Sequence, residues 1–397
     1  RTPHSGLELS GAREMVVVDA TRADNIFARP IDPQSETLAF ESISSSDPFA
    51  IVYTSGTTGS PKGALLTHGN LIWNARATAH ALALTPSDVT LVCVPVTHIF
   101  GISAAVLTTA CVGGRCVLMK DYAAGPALDL CEQESVSVHH GTPTMFVLEL
   151  AAQRRAARDL RSLRTGIIAA APVQADLVTA IRAELVPDIE IAWGLTETAP
   201  TITITTPLDE PTERTESVGK VLPGAQIRLD LQEFEYGEIL VKSPGVIAKY
   251  FNDPQLDARA FTSDGWFRTG DLGYLDARGY LHLRGRHKEI IIRGGMHVYP
   301  EEVEAIVRTL PWVESLCIVG IPDRVLGERT CACIVVAESA AAPENLLDAV
   351  RAAVAGRLAD YKIPDSVLRV AELPRSPGGK VLKAVLQSDA IKAMRAG

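Results

Sequence analysis

The chain has 397 residues, which is too long for one ordinary domain and predicts two or three folding units. Hydrophobic residues make up 47% and charged residues 21%, so a sizeable core can form and intrinsic disorder is excluded. Lys plus Arg number 38 and Asp plus Glu number 47. The resulting charge of −9, without a basic run, argues against a nucleic-acid partner.

Membrane and secretion signals are not found in the sequence. No apolar stretch approaches the ~20 residues of a transmembrane helix, and the first six residues lack the apolar segment of a signal peptide. The seven cysteines are scattered among Val, Ile and Ala, and none forms a CxxC pair that would suggest zinc. We therefore expect reduced, buried thiols in a cytoplasmic protein.

Apolar runs alternate with helical patterns along the first half of the chain. The strand signals lie at residues 14–19, 51–53, 90–94, 116–119, 165–169 and 189–192. A helical face carrying Leu71, Ala75, Ala79 and Leu82 follows residue 63, and further helical patterns lie at 144–155 and 175–184. This alternation predicts an α/β fold with parallel strands.

The pattern changes after residue 224. Short strands with tight turns, such as the turn at 276–279, predict a β-rich subdomain over about 225–286. Pro300 opens a predicted helix, and a second helix carries apolar residues at i+4 spacing: Leu346, Val350, Val354 and Leu358. We expect a large domain at 1–286 and a small α+β domain at 287–397.

The first segment that indicates chemistry is TSGTTGSPKG, from Thr54 to Gly63. Small residues let backbone N–H groups approach an anion, hydroxyls donate to phosphate oxygens, and a lysine adds positive charge. The segment fits a polyphosphate, although it is not a Walker P-loop because GxxxxGK[ST] is absent. The predicted phosphate-binding residues are Thr54, Ser55, Gly56, Thr57, Thr58, Gly59 and Lys62.

This loop resembles the signature of the adenylate-forming superfamily, which includes acyl-CoA synthetases, peptide-synthetase adenylation domains and firefly-type luciferases. Four more segments resemble that family in order and approximate spacing: WGLTE at 193–197, RTGD at 268–271, GRHKE at 285–289 and PRSPGGK at 374–380. The resemblance implies a layered αβαβα large domain with its β-rich subdomain, and a small mobile C-terminal domain.

The resemblance also implies the reaction. ATP and Mg²⁺ would convert a carboxylic acid to an acyl-AMP and pyrophosphate, with coenzyme A as the second acceptor. Such a step depends mainly on positioning and on neutralising negative charge. Lys380 would reach the carboxylate and the α-phosphate oxygens, Glu197 would hold Mg²⁺, and Thr196 would donate to the α-phosphate.

Several residues are implied to bind the nucleoside. The acceptor-only carboxylate of Asp271 suits the two ribose hydroxyls, with the donors of Arg286 nearby. Trp193 stands where relatives usually carry a tyrosine, and its indole can stack but lacks a phenolic hydroxyl. The implied adenine- and ribose-binding residues are Ala170, Ala171, Pro172, Trp193, Gly194, Asp271 and Arg286.

The resemblance implies moving parts as well. The C-terminal domain would rotate about a hinge at Lys288 between adenylation and thioester formation, and Gly294 and Gly295 would line the thiol entry. Residues 1–53 precede the phosphate loop, fewer than in full-length relatives. We therefore expect either that the large domain is incomplete at its N-terminal end or that it is naturally short there.

The acid pocket is the least specified part of the sequence. The segment at 98–101 resembles the region where relatives place a histidine gate, and it lacks an aspartate that would hold an amino group. The stretch 139–146 resembles the border of the acyl tunnel in fatty-acyl ligases, and Phe146 lies at its end. The predicted pocket residues are His98, Phe100, Gly101, His140 and Gly141. Adjacent histidines on a strand point in different directions, so His139 and His140 are not a metal pair.

The leading hypothesis is an acid:CoA ligase acting on an apolar acyl or aryl carboxylate. One alternative passes the acyl group to a carrier protein or to a non-thiol nucleophile, and another oxidises the adenylate as luciferases do. A catalytically silent nucleotide-binding module is disfavoured because both Glu197 and Lys380 are present. The identity of the acid and the oligomeric state stay open.

Overall fold

The structure is a computed structural model that describes residues 43–54, 61–231, 236–286, 289–338, 340–375 and 381–396. The chain divides into two units, Arg1–Ser44 and Ser45–Gly397, and the elements described below belong to the second. The strand predicted at 14–19 lies outside the described residues.

An antiparallel hairpin frames the predicted phosphate loop. Strand β1 (Pro48–Thr54) pairs with β2 (Lys62–Thr67), and Thr54 lies opposite Lys62, so the two ends of the loop are side by side. The sequence predicted a helix directly after the loop, whereas β2 comes first because its backbone pairs with β1. Helix α1 (His68–Ala81) then begins at a capping box between Thr67 and Asn70.

A seven-stranded sheet has the order β4-β3-β5-β6-β7-β8-β9. The pairings from β4 to β7 are parallel, as predicted, and those of β8 and β9 are antiparallel. Its strands are β3 (Val89–Val92), β4 (Arg115–Leu118), β5 (Val138–His139), β6 (Thr165–Ile168), β7 (Asp188–Gly194), β8 (Thr201–Ile204) and β9 (Lys220–Val221).

Helices accompany this sheet. They are α1, α2 (Thr108–Cys111), α3 (Ala124–Gln133), α4 (Pro143–Arg155), α5 (Ala175–Glu184) and α6 (Glu213–Glu216). An unpredicted π-helix, Phe100–Leu107, runs into α2. Neighbouring strand residues pack into different apolar clusters, Ile168 with Phe146 and Ile167 with Phe100. Both faces of the sheet are therefore buried, which explains the continuous apolar runs.

The predicted β-rich region forms a four-stranded antiparallel sheet in the order β10-β11-β12-β13. Its strands are β10 (Gln226–Asp230), β11 (Gly237–Lys242), β12 (Phe267–Leu275) and β13 (Leu281–Arg286), and α7 (Pro254–Ala260) precedes β12. The predicted turn at 276–279 is confirmed: the N–H of Gly279 donates to the carbonyl of Asp276 over 3.0 Å.

The C-terminal part has its own sheet and core. The strand order is β15-β14-β17-β16, with β18 beside β17. The strands are β14 (Ile291–Arg293), β15 (Met296–Val298), β16 (Val313–Asp323), β17 (Gly327–Val336) and β18 (Ser366–Arg369), and the helices are α8 (Pro300–Val307), α9 (Leu346–Val354) and α10 (Lys383–Ala396).

Two helix predictions in this part have different outcomes. Pro300 opens α8, as predicted. Helix α9 ends at Val354, one turn before the predicted limit, and the left-handed Gly356 (φ 74°) follows it. Leu358 still packs against the same apolar cluster as Val350 and Val354, which is why the i+4 pattern extends beyond the helix.

All seven cysteines lie within the described residues and are free; five are buried as predicted, whereas Cys111 and Cys116 are only partly buried. Cys331 and Cys333 lie on one buried face of β17, against Leu373 and Leu386. Among the described helices, none combines the length and the apolar composition that crossing a membrane requires. The α/β fold class is confirmed, whereas the boundary at 286/287 stays a prediction.

Candidate active site

The predicted nucleotide residues gather at one edge of the large sheet. Ala170, Ala171 and Pro172 follow β6 and are exposed, and Ala170 has a left-handed backbone (φ 71°). Trp193 lies at the carboxyl end of the adjacent strand β7. Ligands of open parallel sheets bind at this edge, so the fold places these side chains where a nucleotide can reach them.

Asp271 connects this edge to the β-rich sheet. Its Oδ2 accepts a hydrogen bond of 2.9 Å from the indole Nε1 of Trp193, and its Oδ1 accepts one of 2.5 Å from Nε of Arg286. Asp271 and Arg286 are opposite each other on β12 and β13. Trp193 therefore acts as a donor to the carboxylate, and each carboxylate oxygen keeps acceptor capacity for a ribose hydroxyl.

Glu197 lies in a 3₁₀ turn, Thr196–Thr198, just after β7. The hydroxyl of Tyr250 donates to its Oε1 over 2.9 Å, and the N–H of Ile247 donates to its carbonyl over 2.9 Å. Burial and the neighbouring Glu197 raise the pKa of Tyr250 above its ordinary value of 10, so this hydroxyl stays a donor. Tyr250 is 53 residues from Glu197, and no local spacing pattern could have predicted their contact.

We expect Tyr250→Phe to lower the rate of acid-dependent ATP–pyrophosphate exchange by about 10- to 100-fold, because a hydrogen bond to a charged group contributes about 1.5–3 kcal/mol. The phenyl ring keeps the packing of Tyr250, so the thermal midpoint should change little. Tyr236→Phe, on another tyrosine outside this contact, is the control. An unchanged exchange rate in Tyr250→Phe would contradict a role for this hydroxyl in positioning Glu197.

Lack of space explains why position 194, in the WGLTE segment, is a glycine. A Cβ on Gly194 would lie 1.7 Å from the carbonyl oxygen of Pro200, which is far inside van der Waals contact. The hydroxyl of Thr198 also donates to that carbonyl, over 2.6 Å. The turn that presents Thr196 and Glu197 can therefore approach β8 only if residue 194 has no side chain.

Gly194→Ala is expected to lower the free energy of unfolding by about 1–3 kcal/mol or more, because overpacking against backbone has no flexible atom to displace. Thermal or urea unfolding measures this change. Gly125→Ala is the matched control, since the nearest atom to its added Cβ would be Nη2 of Arg158 at 3.5 Å, an ordinary contact. Equal stability of the two variants would contradict the steric account.

Part of the predicted site lies outside the described residues, namely Ser55, Gly56, Thr57, Thr58, Gly59, Lys288 and Lys380. Their described neighbours are in contact: Arg375 and Val381, which flank the segment containing Lys380, form a β-bridge. Nζ of Lys383 lies 2.6 Å from Oε2 of Glu289, the residue after Lys288. Lys383 comes three residues after Lys380, so this ion pair joins the chain just after each of the two predicted lysines.

The two predicted acid-pocket stretches come together. The rings of Phe100 and His140 are 6.2 Å apart. His140 is fully buried, and its Nδ1 accepts a hydrogen bond of 3.0 Å from the N–H of Ile167. Burial, and to a lesser extent His139, lowers the pKa of His140 to about 3, so its ring is neutral. The His140 ring has no exposed surface in this structure. Its contact with an acid stays a prediction.

The remaining predicted pocket residues differ in exposure. His98 is exposed, and its Nδ1 accepts a hydrogen bond of 3.2 Å from the N–H of Phe100. A Cβ on Gly101 would lie 2.3 Å from the carbonyl of Pro95, and one on Gly141 would lie 3.0 Å from the ring of Phe146. Both glycines therefore allow close packing at this end of the sheet.

Gly294 and Gly295, the predicted thiol-entry residues, form the turn between β14 and β15. Both have left-handed backbones, with φ of 60° and 82°, which glycine adopts at little cost. Their role in thiol entry stays a prediction.

Comparison with known proteins agrees with this arrangement. Residues 6–251 match the AMP-binding enzyme family, and residues 302–380 match the AMP-binding enzyme C-terminal domain. The chain is 36% identical over 349 residues to YngI of Bacillus subtilis (strain 168), covering 86% of this chain and 63% of that protein. It is 36% identical over 364 residues to the indoleacetate–CoA ligase of Aromatoleum aromaticum (strain DSM 19018 / LMG 30748 / EbN1), covering 90% of this chain and 68% of the ligase.

Among solved structures, ATP-bound MatB from Rhodopseudomonas palustris superposes with a TM-score of 0.82 at 32% identity, covering 90% of this chain and 71% of MatB. The chain thus spans about two thirds of the length of these relatives. The family match over residues 6–251 includes Trp193 and Glu197. The chain belongs to the AMP-binding enzyme family, within the adenylate-forming superfamily.

Proposed function

We propose that this protein uses ATP to activate an apolar carboxylic acid as an acyl-AMP and then transfers the acyl group to the thiol of coenzyme A. The main support is a pair of carboxylates held by hydrogen bonds. Asp271, bonded to Trp193 and Arg286, can accept hydrogen bonds from a ribose. Glu197, bonded to Tyr250, is the carboxylate expected near the phosphates. One relative, the indoleacetate–CoA ligase, is named for CoA, which supports the same acceptor here.

In the first half-reaction, a carboxylate oxygen of the acid attacks the α-phosphorus of ATP. The bond from that phosphorus to the bridging oxygen breaks, and pyrophosphate leaves with its electron pair. In the second half-reaction, the CoA sulfur attacks the acyl carbon and AMP leaves. Nothing is oxidised or reduced, so neither step needs a redox cofactor.

We assign roles by position. Asp271 would accept hydrogen bonds from the ribose hydroxyls. Lys62, which pairs with Thr54 where the phosphate loop begins and ends, would add positive charge near the phosphates. Glu197 would hold Mg²⁺ through Oε2, because Tyr250 engages Oε1; the ion, when bound, neutralises phosphate charge. Lys380 would bring its ammonium to the carboxylate and the α-phosphate, as the resemblance implies.

An apolar acid is supported by the side chains around the predicted pocket. Phe100 and Phe146 are buried, and the adjacent ring of His140 is neutral. No described residue among 98–101 is an aspartate that could hold an amino group. The unpaired thiols support the cytoplasmic location expected from the sequence.

ATP–pyrophosphate exchange with short, medium, long and aromatic acids tests this function, and each active acid is then assayed with CoA. Acid-dependent exchange followed by CoA-dependent AMP release is the expected result. Exchange without CoA turnover would mean that the acceptor is a carrier protein or another nucleophile instead of CoA. Lys380→Ala, assayed in both half-reactions, should lose adenylation and retain thioester formation from supplied acyl-AMP; full adenylation activity would overturn its assigned role.

A further inference from the structure

Three potential metal ligands converge at the far end of the hairpin that carries Asp271 and Arg286. Glu213 begins the short helix α6, Asp276 lies in the β12–β13 turn, and His282 lies on β13. One ligand atom from each residue lies within 4.8 Å of the other two. No step of the proposed adenylation uses these residues.

The imidazole of His282 is held with one nitrogen turned toward Glu213. Its Nδ1 is 3.2 Å from the backbone carbonyl of Glu216, which can only accept, so Nδ1 carries the proton. The ring stacks on Tyr274 with a centroid distance of 4.7 Å and an interplanar angle of 9°. A backbone carbonyl that fixes the tautomer in this way is the usual partner of a metal-bound histidine.

Glu213 supplies a buried oxygen that no described residue satisfies by hydrogen bonding. The side chain is 4% exposed, and its Oε1 is paired with Arg278. Its Oε2 accepts no hydrogen bond within the described parts of the chain and lies 3.7 Å from Nε2 of His282. That separation is too long for a charge-assisted hydrogen bond, which measures about 2.7–2.9 Å.

The same separation suits two ligands of one ion. Zinc bonds of about 2.0–2.1 Å at a tetrahedral angle place neighbouring ligand atoms roughly 3.4 Å apart. Asp276 is oriented as a third ligand, because its Oδ1 accepts the N–H groups of Arg278 and Tyr280 over 2.9 and 2.8 Å. Among the described residues, the contact given for its Oδ2 is a long one, 3.4 Å from Nε of Arg278.

We propose that Glu213, Asp276 and His282 bind a divalent transition-metal ion such as Zn²⁺, through Oε2, Oδ2 and Nε2. Imidazole and carboxylate ligands suit Zn²⁺ and its neighbours in the first transition row. The ion connects α6 to the β12–β13 turn and thereby braces the hairpin that carries Asp271 and Arg286. The guanidinium of Arg278 is the competing cation of the cluster.

Cobalt titration of the full chain tests the site, after removal of any polyhistidine tag and treatment with a chelator. We expect one Co²⁺ with the absorption of a nitrogen–oxygen site and without a thiolate charge-transfer band, which separates it from cysteine binding. His282→Gln and the near-isosteric Glu213→Gln should weaken binding by about tenfold or more. His80→Gln, which removes an exposed histidine of α1, should bind as the wild type does.

Two further measurements sharpen the test. Zn²⁺ should raise the thermal midpoint of the wild type but not that of His282→Gln. Arg278→Gln should bind Co²⁺ more tightly than the wild type, because it removes the competing cation. Absence of binding, or equal binding by wild type and His282→Gln, would overturn the proposal.

Discussion

Asp271→Asn should raise the KM for ATP in pyrophosphate exchange by about 10- to 100-fold. The carboxylate accepts hydrogen bonds from Trp193 and Arg286 and is 9% exposed, so its charge is held in a largely dry site. An amide keeps the shape but turns one acceptor into a donor. Hydrogen bonds to charged groups contribute about 1.5–3 kcal/mol, and each 1.4 kcal/mol corresponds to tenfold in an equilibrium constant.

The same β-rich region offers a matched control for Asp271→Asn. Asp264 also forms an ion pair with an arginine, at 2.6 Å from Arg228, but both side chains are exposed. Asp264→Asn removes the same charge from the same kind of pair and should leave the KM for ATP unchanged. If the two variants had equal KM values, the ribose would have to bind elsewhere.

The strands predicted from sequence depend on local information. The runs at 165–169 and 189–192 match β6 (Thr165–Ile168) and β7 (Asp188–Gly194) to within two residues, because strands buried on both faces are continuously apolar. Strand β2 was missed because its identity comes from pairing with β1 across the phosphate loop. The π-helix at Phe100–Leu107 has no period that distinguishes it from an α-helix in a short apolar run.

For the candidate site, too, the residues could be predicted from local sequence and their contacts could not. Trp193, Glu197 and Asp271 belong to contiguous motifs, so the sequence alone was enough to predict them as site residues. Their mutual contacts were not predictable, because 78 residues separate the indole of Trp193 from the carboxylate of Asp271. The Trp193 departure from tyrosine raised the question of what its N–H does, and only the packing of the two sheets gives Asp271 as the acceptor.

A buried polar network next to the predicted pocket residue His140 was also not predictable from the sequence. Nε2 of His139 lies 2.9 Å from Oε2 of Glu149, and the hydroxyl of Tyr122 donates to Oε1 over 3.0 Å. His139 is 1% exposed and Glu149 is 0% exposed. Burial alone would lower the pKa of His139, but Glu149, helped by Cys93, raises it well above the ordinary value of 6.5. The raised pKa favours the protonated form of His139 beside Glu149.

Glu149→Ala should lower the free energy of unfolding near pH 6 by about 3–5 kcal/mol, the usual cost of removing one partner of a buried ion pair. It should also reverse the pH dependence. In the wild type the raised pKa of His139 gives stability that is complete below pH 6.5 and is lost as pH rises through the folded-state value. In the variant burial opposes the imidazolium and only Cys93 still favours it, so stability should fall as pH falls below 6.5 instead.

Urea unfolding from pH 5.5 to 8.5 measures both slopes, each limited to about 1.4 kcal/mol per pH unit for one proton. Glu184→Ala is the control: it removes a glutamate that lies 2.5 Å from Arg154 on the protein surface, and it should keep the wild-type pH profile. A Glu149→Ala profile parallel to that of the wild type would mean that His139 is neutral in the native protein. The buried network would then be a set of neutral hydrogen bonds, and its loss should cost correspondingly less.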